Sequence, residues 1–198
     1  MPRWDPLAEE RLRAAALELY AEHGYENVTV AQITERAGLT RRTFFRYFAD
    51  KRDVLFAGSD RLAPALAEAV QGADAALAPF DAVLAGLVTV GDLLAERVSS
   101  TAAQRRAIVK NSPELRERER TKFAAVADLL ADALERRGAS SSEASLLAQV
   151  GIAIFVEAFA RWADDTQSTG LAELVREVSA ELAAHLGAAA RATDPGPR

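Results

Sequence analysis

The stretch from Thr29 to Phe56, TVAQITERAGLTRRTFFRYFADKRDVLF, constrains the fold more than any other part of the chain. Its helix-starting and helix-stopping residues stand so close together that only short helices fit between them. Thr29-Val-Ala-Gln32 carries the threonine and glutamine of a capping box, whose side chains satisfy backbone N–H groups that a first helical turn leaves unpaired. Gly38 ends that helix, and Thr40 can cap the next, from about Arg41 to Phe48, since a threonine oxygen accepts from the N–H groups of a first turn. Asp50 can cap another from Lys51, with Asp53 three residues on. Two short helices joined by Gly38-Leu39-Thr40 form a helix-turn-helix.

Helical periodicity divides the second of these helices into two faces. Phe44 and Phe48 fall together and should pack against Leu19, Ile33 and Ala37. Arg42 and Arg46 lie opposite, with Thr43 beside them, and Arg41, Phe45 and Tyr47 flank that strip. The chain as a whole has a net charge of −5, yet six basic residues (Arg36, Arg41, Arg42, Arg46, Lys51 and Arg52) stand against one acid, Asp50, between positions 36 and 52. A basic patch on an acidic body fits DNA binding at one end of the molecule. Arginine can donate two hydrogen bonds to guanine, and a threonine methyl can meet that of thymine. The helix start, with Thr40, and Lys51 after it are placed for phosphate. Thr29, Thr40, Arg41, Arg42, Thr43, Phe45, Arg46, Tyr47 and Lys51 are therefore the expected DNA contacts. For Arg36 and Arg52 a solvated charge is as good a reading as a phosphate contact.

The stretch resembles the DNA-binding domain of the TetR family of repressors. The resemblance rests on Thr29-Val30, Ile33, Ala37-Gly38-Leu39-Thr40, Thr43, Phe45, Tyr47-Phe48 and Lys51, with Tyr20 and Gly24 before them, and covers about residues 7 to 56. Two positions depart from the family pattern. Phe45 stands where a tyrosine is frequent and lacks the hydroxyl that reaches phosphate. Arg42 replaces a small residue or proline, so base preference does not carry over. RTFFRYFADKRDVLFAG, Arg105-Arg106, Ser112-Pro-Glu-Leu115-Arg-Glu-Arg-Glu and Phe159-Ala-Arg161-Trp162 are also similar to an actinobacterial subgroup that includes mycofactocin gene-cluster regulators. That similarity implies fatty acyl-CoA effectors.

The rest of the chain reads as helix throughout. Apolar residues make up 49 %, aromatics 7 %, and no segment alternates as a strand does. The expectation is an all-α protein of about nine helices. The first starts at Asp5-Pro6 and stops at Gly24; the fourth is ended or kinked by Pro64; the fifth is capped by Asp81. Capping boxes at Thr101–Gln104 and Ser140–Glu143 open the sixth and eighth, Ser112-Pro113 opens the seventh, and the ninth runs from Leu171 to Leu186 before Gly187. The expected domains are 1–56, DNA-binding, with the start of a linking fourth helix, and 57–190, effector-binding and dimerising. A disordered tail, 191–198, follows. QGADAALAPF, residues 71 to 80, is the strongest boundary signal.

In the second domain, Ala148, Gly151, Ile152, Phe159, Leu174, Val178 and Leu182 fall at helical spacing on the last two helices. They suit a two-fold four-helix interface of a homodimer, as in TetR-like proteins. Paired recognition helices then read half-sites about 34 Å apart. The family resemblance implies an effector pocket, for which Leu94, Arg106, Ile108, Val109, Phe123, Val126 and Phe155 are the expected lining. The chain has no cysteine and only two widely separated histidines, so no metal or cofactor is expected. No signal peptide and no membrane span are read, which makes a cytoplasmic location the default. Two rivals remain: a lipid-binding or lipid-modifying helical enzyme, which lacks any nucleophile constellation or phosphate loop, and a helical protein-interaction adaptor, which the basic patch disfavours.

Overall fold

The computed structural model describes residues 7–56, 62–98, 100–164 and 169–193. Among them are ten α-helices, a 3-10 turn and no strand. The order is α1 (Ala8–His23), the 3-10 turn (Tyr25–Asn27), α2 (Val30–Arg36), α3 (Arg41–Tyr47), α4 (Asp53–Phe56) and α5 (Leu62–Gly72), then α6 (Pro79–Val98), α7 (Ala102–Asn111), α8 (Pro113–Arg136), α9 (Ser141–Asp164) and α10 (Leu171–Thr193). They form two compact units: Met1–Arg61 with Ser100–Thr121, and Leu62–Ser99 with Lys122–Arg198. The first turns of α8 thus belong to one unit and its remainder to the other.

Local chemistry explains most of the punctuation. The Thr29 hydroxyl accepts from the Gln32 N–H at 3.3 Å while the Gln32 side chain accepts from the Thr29 N–H at 2.8 Å, closing the capping box. Thr40 Oγ1 accepts from the Thr43 N–H at 3.1 Å. Gly38 has φ 63°, a left-handed conformation that strains residues with a Cβ, so the turn between α2 and α3 requires a glycine. Asp50 caps the next segment, accepting from the N–H groups of Arg52 and Asp53 at 2.7 and 3.1 Å.

Several expectations are corrected. Thr101 does not close a capping box: its φ and ψ of −125° and −5° lack the extended conformation seen at Thr29 and Thr40. Gln104 instead donates to the Leu17 carbonyl at 3.2 Å. Pro64 does not end a helix: α5 continues past it to Gly72. Residues 57–61, on its N-terminal side, lie outside the described residues. Pro79, not Asp81, opens α6. Gly187 does not end the last helix, which runs through residues 191 to 193 of the expected tail. α1 begins at Ala8. The Asp5-Pro6 start and the tail from 194 onward lie outside the described residues.

In the first unit α1 packs on α2, α3, α4 and α7. One core holds Leu12, Leu19, Ile33, Phe44, Phe48, Val54 and Phe56, and extends to Ile108, Val109 and Leu115. In the second unit α6 packs against α5, α9 and α10, and α9 against α10. Glycine permits the closest approach there: a Cβ at Gly151 would come within 2.5 Å of Val83 Cγ1. α9 is long and apolar enough to cross a membrane by length and composition alone. Its Ala144, Ala148, Gly151, Ile154, Ala158 and Trp162 form one buried stripe at helical spacing, and the rest of the helix is more exposed.

Candidate nucleic-acid interface

α3 is fixed from beneath and open above. Phe44 is fully buried and Phe48 nearly so, in the same core as Leu19, Ile33 and Ala37, as its periodicity predicts. Their burial contributes roughly 1.5–3 kcal/mol each. Arg11 donates to the Ala37 carbonyl at the end of α2. The Tyr20 hydroxyl donates to the Lys51 carbonyl at 2.6 Å, and burial, with Tyr25 and Asp50 nearby, pushes that phenol far above its ordinary pKa. It therefore stays a donor at any working pH.

The exposed side of α3 follows the angular order Arg41, Phe45, Arg42, Arg46, Thr43 at about 100° per residue. Arg41 and Arg42 are exposed and unpaired. Phe45 is 53 % exposed, its ring edge-on to Phe44 with centroids 5.4 Å apart. Arg46 leans on Tyr47, with its guanidinium 4.8 Å from the ring centroid and an N–H donating to the phenol oxygen at 3.1 Å. Thr43 shares a hydrogen bond with Thr40 at 3.0 Å. Thr29 is exposed at the start of α2, held by its capping box.

The other cations of the basic stretch are engaged within the protein. Lys51 Nζ donates to the carbonyls of Tyr25, Val28 and Glu26 at 2.9, 3.0 and 3.4 Å and lies 4.2 Å from the Tyr25 ring centroid. An ammonium has three N–H donors, and all three have acceptors, so Lys51 serves the fold first; a phosphate would have to share or displace a carbonyl. Arg36 pairs with Glu18 and Glu22 at 3.2 and 2.9 Å. The hydrogen bond between Arg36 and Glu22 lowers the carboxyl's pKa and raises the guanidinium's. Arg52 bonds Asp50, and Glu114 at 3.2 Å. Burial raises the Asp50 pKa, but hydrogen bonds from Arg52 and the N–H groups of Asp53 and Arg52 outweigh it, and the carboxyl ends below its ordinary value. The outward positive field of this stretch thus comes from Arg41, Arg42 and the partly stacked Arg46.

Polar bonds between residues far apart in sequence tie the helix-turn-helix to α7 and the start of α8. Glu114 receives Tyr25 and Arg52 at 3.4 and 3.2 Å. Arg118 pairs with Asp53 at 3.3 Å, and Ser112 donates to Glu26 at 2.9 Å. Arg105 donates to the Leu55 carbonyl at 2.7 Å, pairs with Glu119 at 3.1 Å and stacks on Phe56. The only signal in the sequence was the run of charge from Glu114 to Arg120, which reads equally well as a solvated face.

The expected effector lining divides. Leu94, Phe123, Val126 and Phe155 belong to the second unit, and Phe123 and Phe155 meet edge-on with centroids 6.3 Å apart. A row of rings continues through Phe159 to Trp162, with successive centroids 6.0 and 5.6 Å apart. Ile108 and Val109 are both buried in the core beneath the helix-turn-helix, where α7 packs on α1. Arg106 is on that same helix. Of the residues expected at a dimer interface, Ala148, Gly151, Leu174 and Val178 are buried in the single chain, while Ile152, Phe159 and Leu182 are half-buried.

Two family models match this chain: "Bacterial regulatory proteins, tetR family" over residues 12–57 and "MftR C-terminal domain" over residues 77–187, more than half of the chain. The chain belongs to the TetR family. Among its TetR-family relatives is the mycofactocin biosynthesis transcriptional regulator MftR of Mycobacterium tuberculosis, 26 % identical over 161 residues, or 80 % of each chain. Two solved structures share the fold. The SmeT–triclosan complex has a TM-score of 0.60 at 20 % identity, covering 88 % of this chain and 90 % of that one. FadR of Bacillus subtilis in complex with stearoyl-CoA has a TM-score of 0.56 at 21 % identity, covering 85 % and 94 %. These relationships make the chain a DNA-binding transcriptional regulator of the helix-turn-helix type, with no claim to be an enzyme, and place it beside the mycofactocin-related subgroup.

Proposed function

We propose that this TetR-family regulator is a homodimeric repressor that leaves a palindromic operator when a small amphipathic molecule with a long acyl tail, of the acyl-CoA class, binds its C-terminal unit. The observation that carries the DNA half is the open face of α3, where Arg41 and Arg42 are exposed and unpaired beside an exposed phenylalanine. Guanidinium groups facing solvent on a short helix match the acceptor pattern of guanine in the major groove.

Self-association is supported by an apolar stripe on the outer side of α9. Leu146 (62 % exposed) and Val156 (41 % exposed) stand with Ala153 and Ala160 at helical spacing, and Leu186 on α10 is equally open. These residues, not the inward Gly151 and Ala148, are the proposed contact face between copies. The effector half rests on the apolar and aromatic set Leu94, Phe123, Val126 and Phe155, on the MftR-type C-terminal match, and on stearoyl-CoA and triclosan being the ligands of two relatives in fold. A switch of this kind requires the effector to bind the DNA-free conformation more tightly than the DNA-bound one.

The test is a titration of the protein–operator complex with acyl-CoAs of graded chain length, followed by fluorescence anisotropy of the DNA. Release that saturates, favours one range of lengths and is weakened by Phe155→Ala is the expected result. An operator complex indifferent to every acyl-CoA would remove the effector class and leave the DNA-binding assignment standing.

A further inference from the structure

Phe45 is an unusual residue to leave in water. Its ring is 53 % exposed, on the face that α3 turns outward and between the two unpaired arginines in angular order. Phe45 and Arg42 are three residues apart, which sets their side chains next to each other on one helix face. The ring is also held in place: it meets the fully buried Phe44 edge-on at 5.4 Å, a favoured aromatic geometry. A phenylalanine has no donor or acceptor, so it can neither bind phosphate nor hydrogen-bond a base edge. The one apolar group that the major groove offers is the 5-methyl of thymine.

We infer that Phe45 is a specificity-determining residue that reads a pyrimidine 5-methyl group beside the guanine contacted by Arg42. This rests on the reading of α3 as the DNA-contacting helix. It assigns Phe45 a direct part in sequence selection, and it separates the roles on that face. The arginines select by hydrogen bonding; the ring selects by removing a methyl from water. Arg46, stacked on Tyr47, flanks the pair.

The experiment uses the full-length chain and an operator selected by it from random duplex DNA. Each thymine of the operator is replaced in turn by deoxyuridine, which deletes only the methyl. One methyl withdrawn from water contributes about fourfold in affinity, so one position per half-site should weaken wild-type binding by about that factor, and the doubly substituted palindrome by about its square. Phe45→Ala should bind the natural operator with the same loss and be indifferent to deoxyuridine at that position. Its ring is half in solvent, so the variant keeps the core, and an unchanged unfolding transition verifies this.

Three results overturn the inference. The first is a wild type indifferent to deoxyuridine at every thymine. The second is a Phe45→Ala variant as sensitive as wild type, which gives the methyl to another residue. The third is a Phe45→Tyr variant that binds all sequences more strongly alike while Phe45→Ala leaves base preference unchanged, which points the ring at the backbone. If random DNA yields no enriched duplex at all, the reading of α3 fails with it; an enriched duplex with no deoxyuridine effect removes the role of Phe45 alone.

Discussion

The two units of this protein are held together by different means. In the unit that carries α3, buried apolar residues are supplemented by point-to-point polar bonds. Lys51 serves three carbonyls, Arg105 serves Leu55, Arg11 serves Ala37, and Tyr20 serves Lys51. Each bond fixes a turn or a helix end, and together they orient a seven-residue helix too short to persist alone. In the other unit α6 meets α9 and α10 at glycines, and a row of aromatic rings runs from Phe123 of α8 along α9 to Trp162. Arg137 caps a chain reversal by donating to the Ala73 and Asp74 carbonyls at 2.7 Å each. The lesson is one of tolerance. Directional bonds hold one geometry for reading DNA, whereas an apolar core tolerates substitution as long as volume and pattern are kept.

The comparison can be broken most forcefully in the apolar unit. Leu87→Ala removes a side chain that is almost fully buried and lies beside Gly151. It should cost about 2–5 kcal/mol, seen as faster hydrogen exchange in α6 and α9 with little change in α3. Equal loosening of α3 would show that the two units unfold as one. The polar unit is tested by Lys51→Met, which keeps the bulk of the stem and deletes the ammonium. Loss of hydrogen bonds from a charged donor should cost about 1.5–3 kcal/mol, read as a lower denaturation midpoint for the segment containing α2 to α4. A midpoint equal to wild type would mean that the three carbonyls bind nothing of consequence.

The smallest effect is a pH dependence. The Asp50 carboxyl is below its ordinary pKa in the folded protein, so its contribution is complete above about pH 4, the unfolded value, and declines as pH falls further. Hydrogen exchange of α4 should therefore accelerate below about pH 4 before that of α9 does. Asp50→Asn should remove this difference, and an acid response that begins in α9 would contradict it.

The helix-turn-helix was legible because its information is local. Thr29, Gln32, Gly38 and Thr40 encode caps and a left-handed turn within a dozen residues, and the phenylalanine spacing marks the inner face. What was hidden depends on partners distant in the chain. Lys51 reads as a phosphate ligand, and nothing local shows that it also serves the carbonyls of Tyr25 and Val28. Ile108 and Val109 share the helical spacing of a pocket wall, and nothing in their own segment says that α7 packs on α1. Thr101 and Gln104 match a capping box in spelling, but backbone dihedrals decide whether one forms. Pro64 reads as a break from its own segment, yet the helix runs on past it to Gly72. Gly151 reads from spacing as part of a face between copies; within the chain, the close approach it permits is to Val83.

The central claim is that the outward face of α3 reads DNA. Its most direct test compares Arg42→Ala with Arg120→Ala, an equally charged change at a residue of α8 whose side chain is 73 % exposed, on the operator selected by wild type. Arg42→Ala is expected to lose about 1–3 kcal/mol of operator affinity and to relax selection at one base pair per half-site, with an unchanged unfolding transition, while Arg120→Ala binds as wild type does. Operator binding by Arg42→Ala that matches wild type in strength and sequence preference, or an equal loss in both variants, would contradict the account.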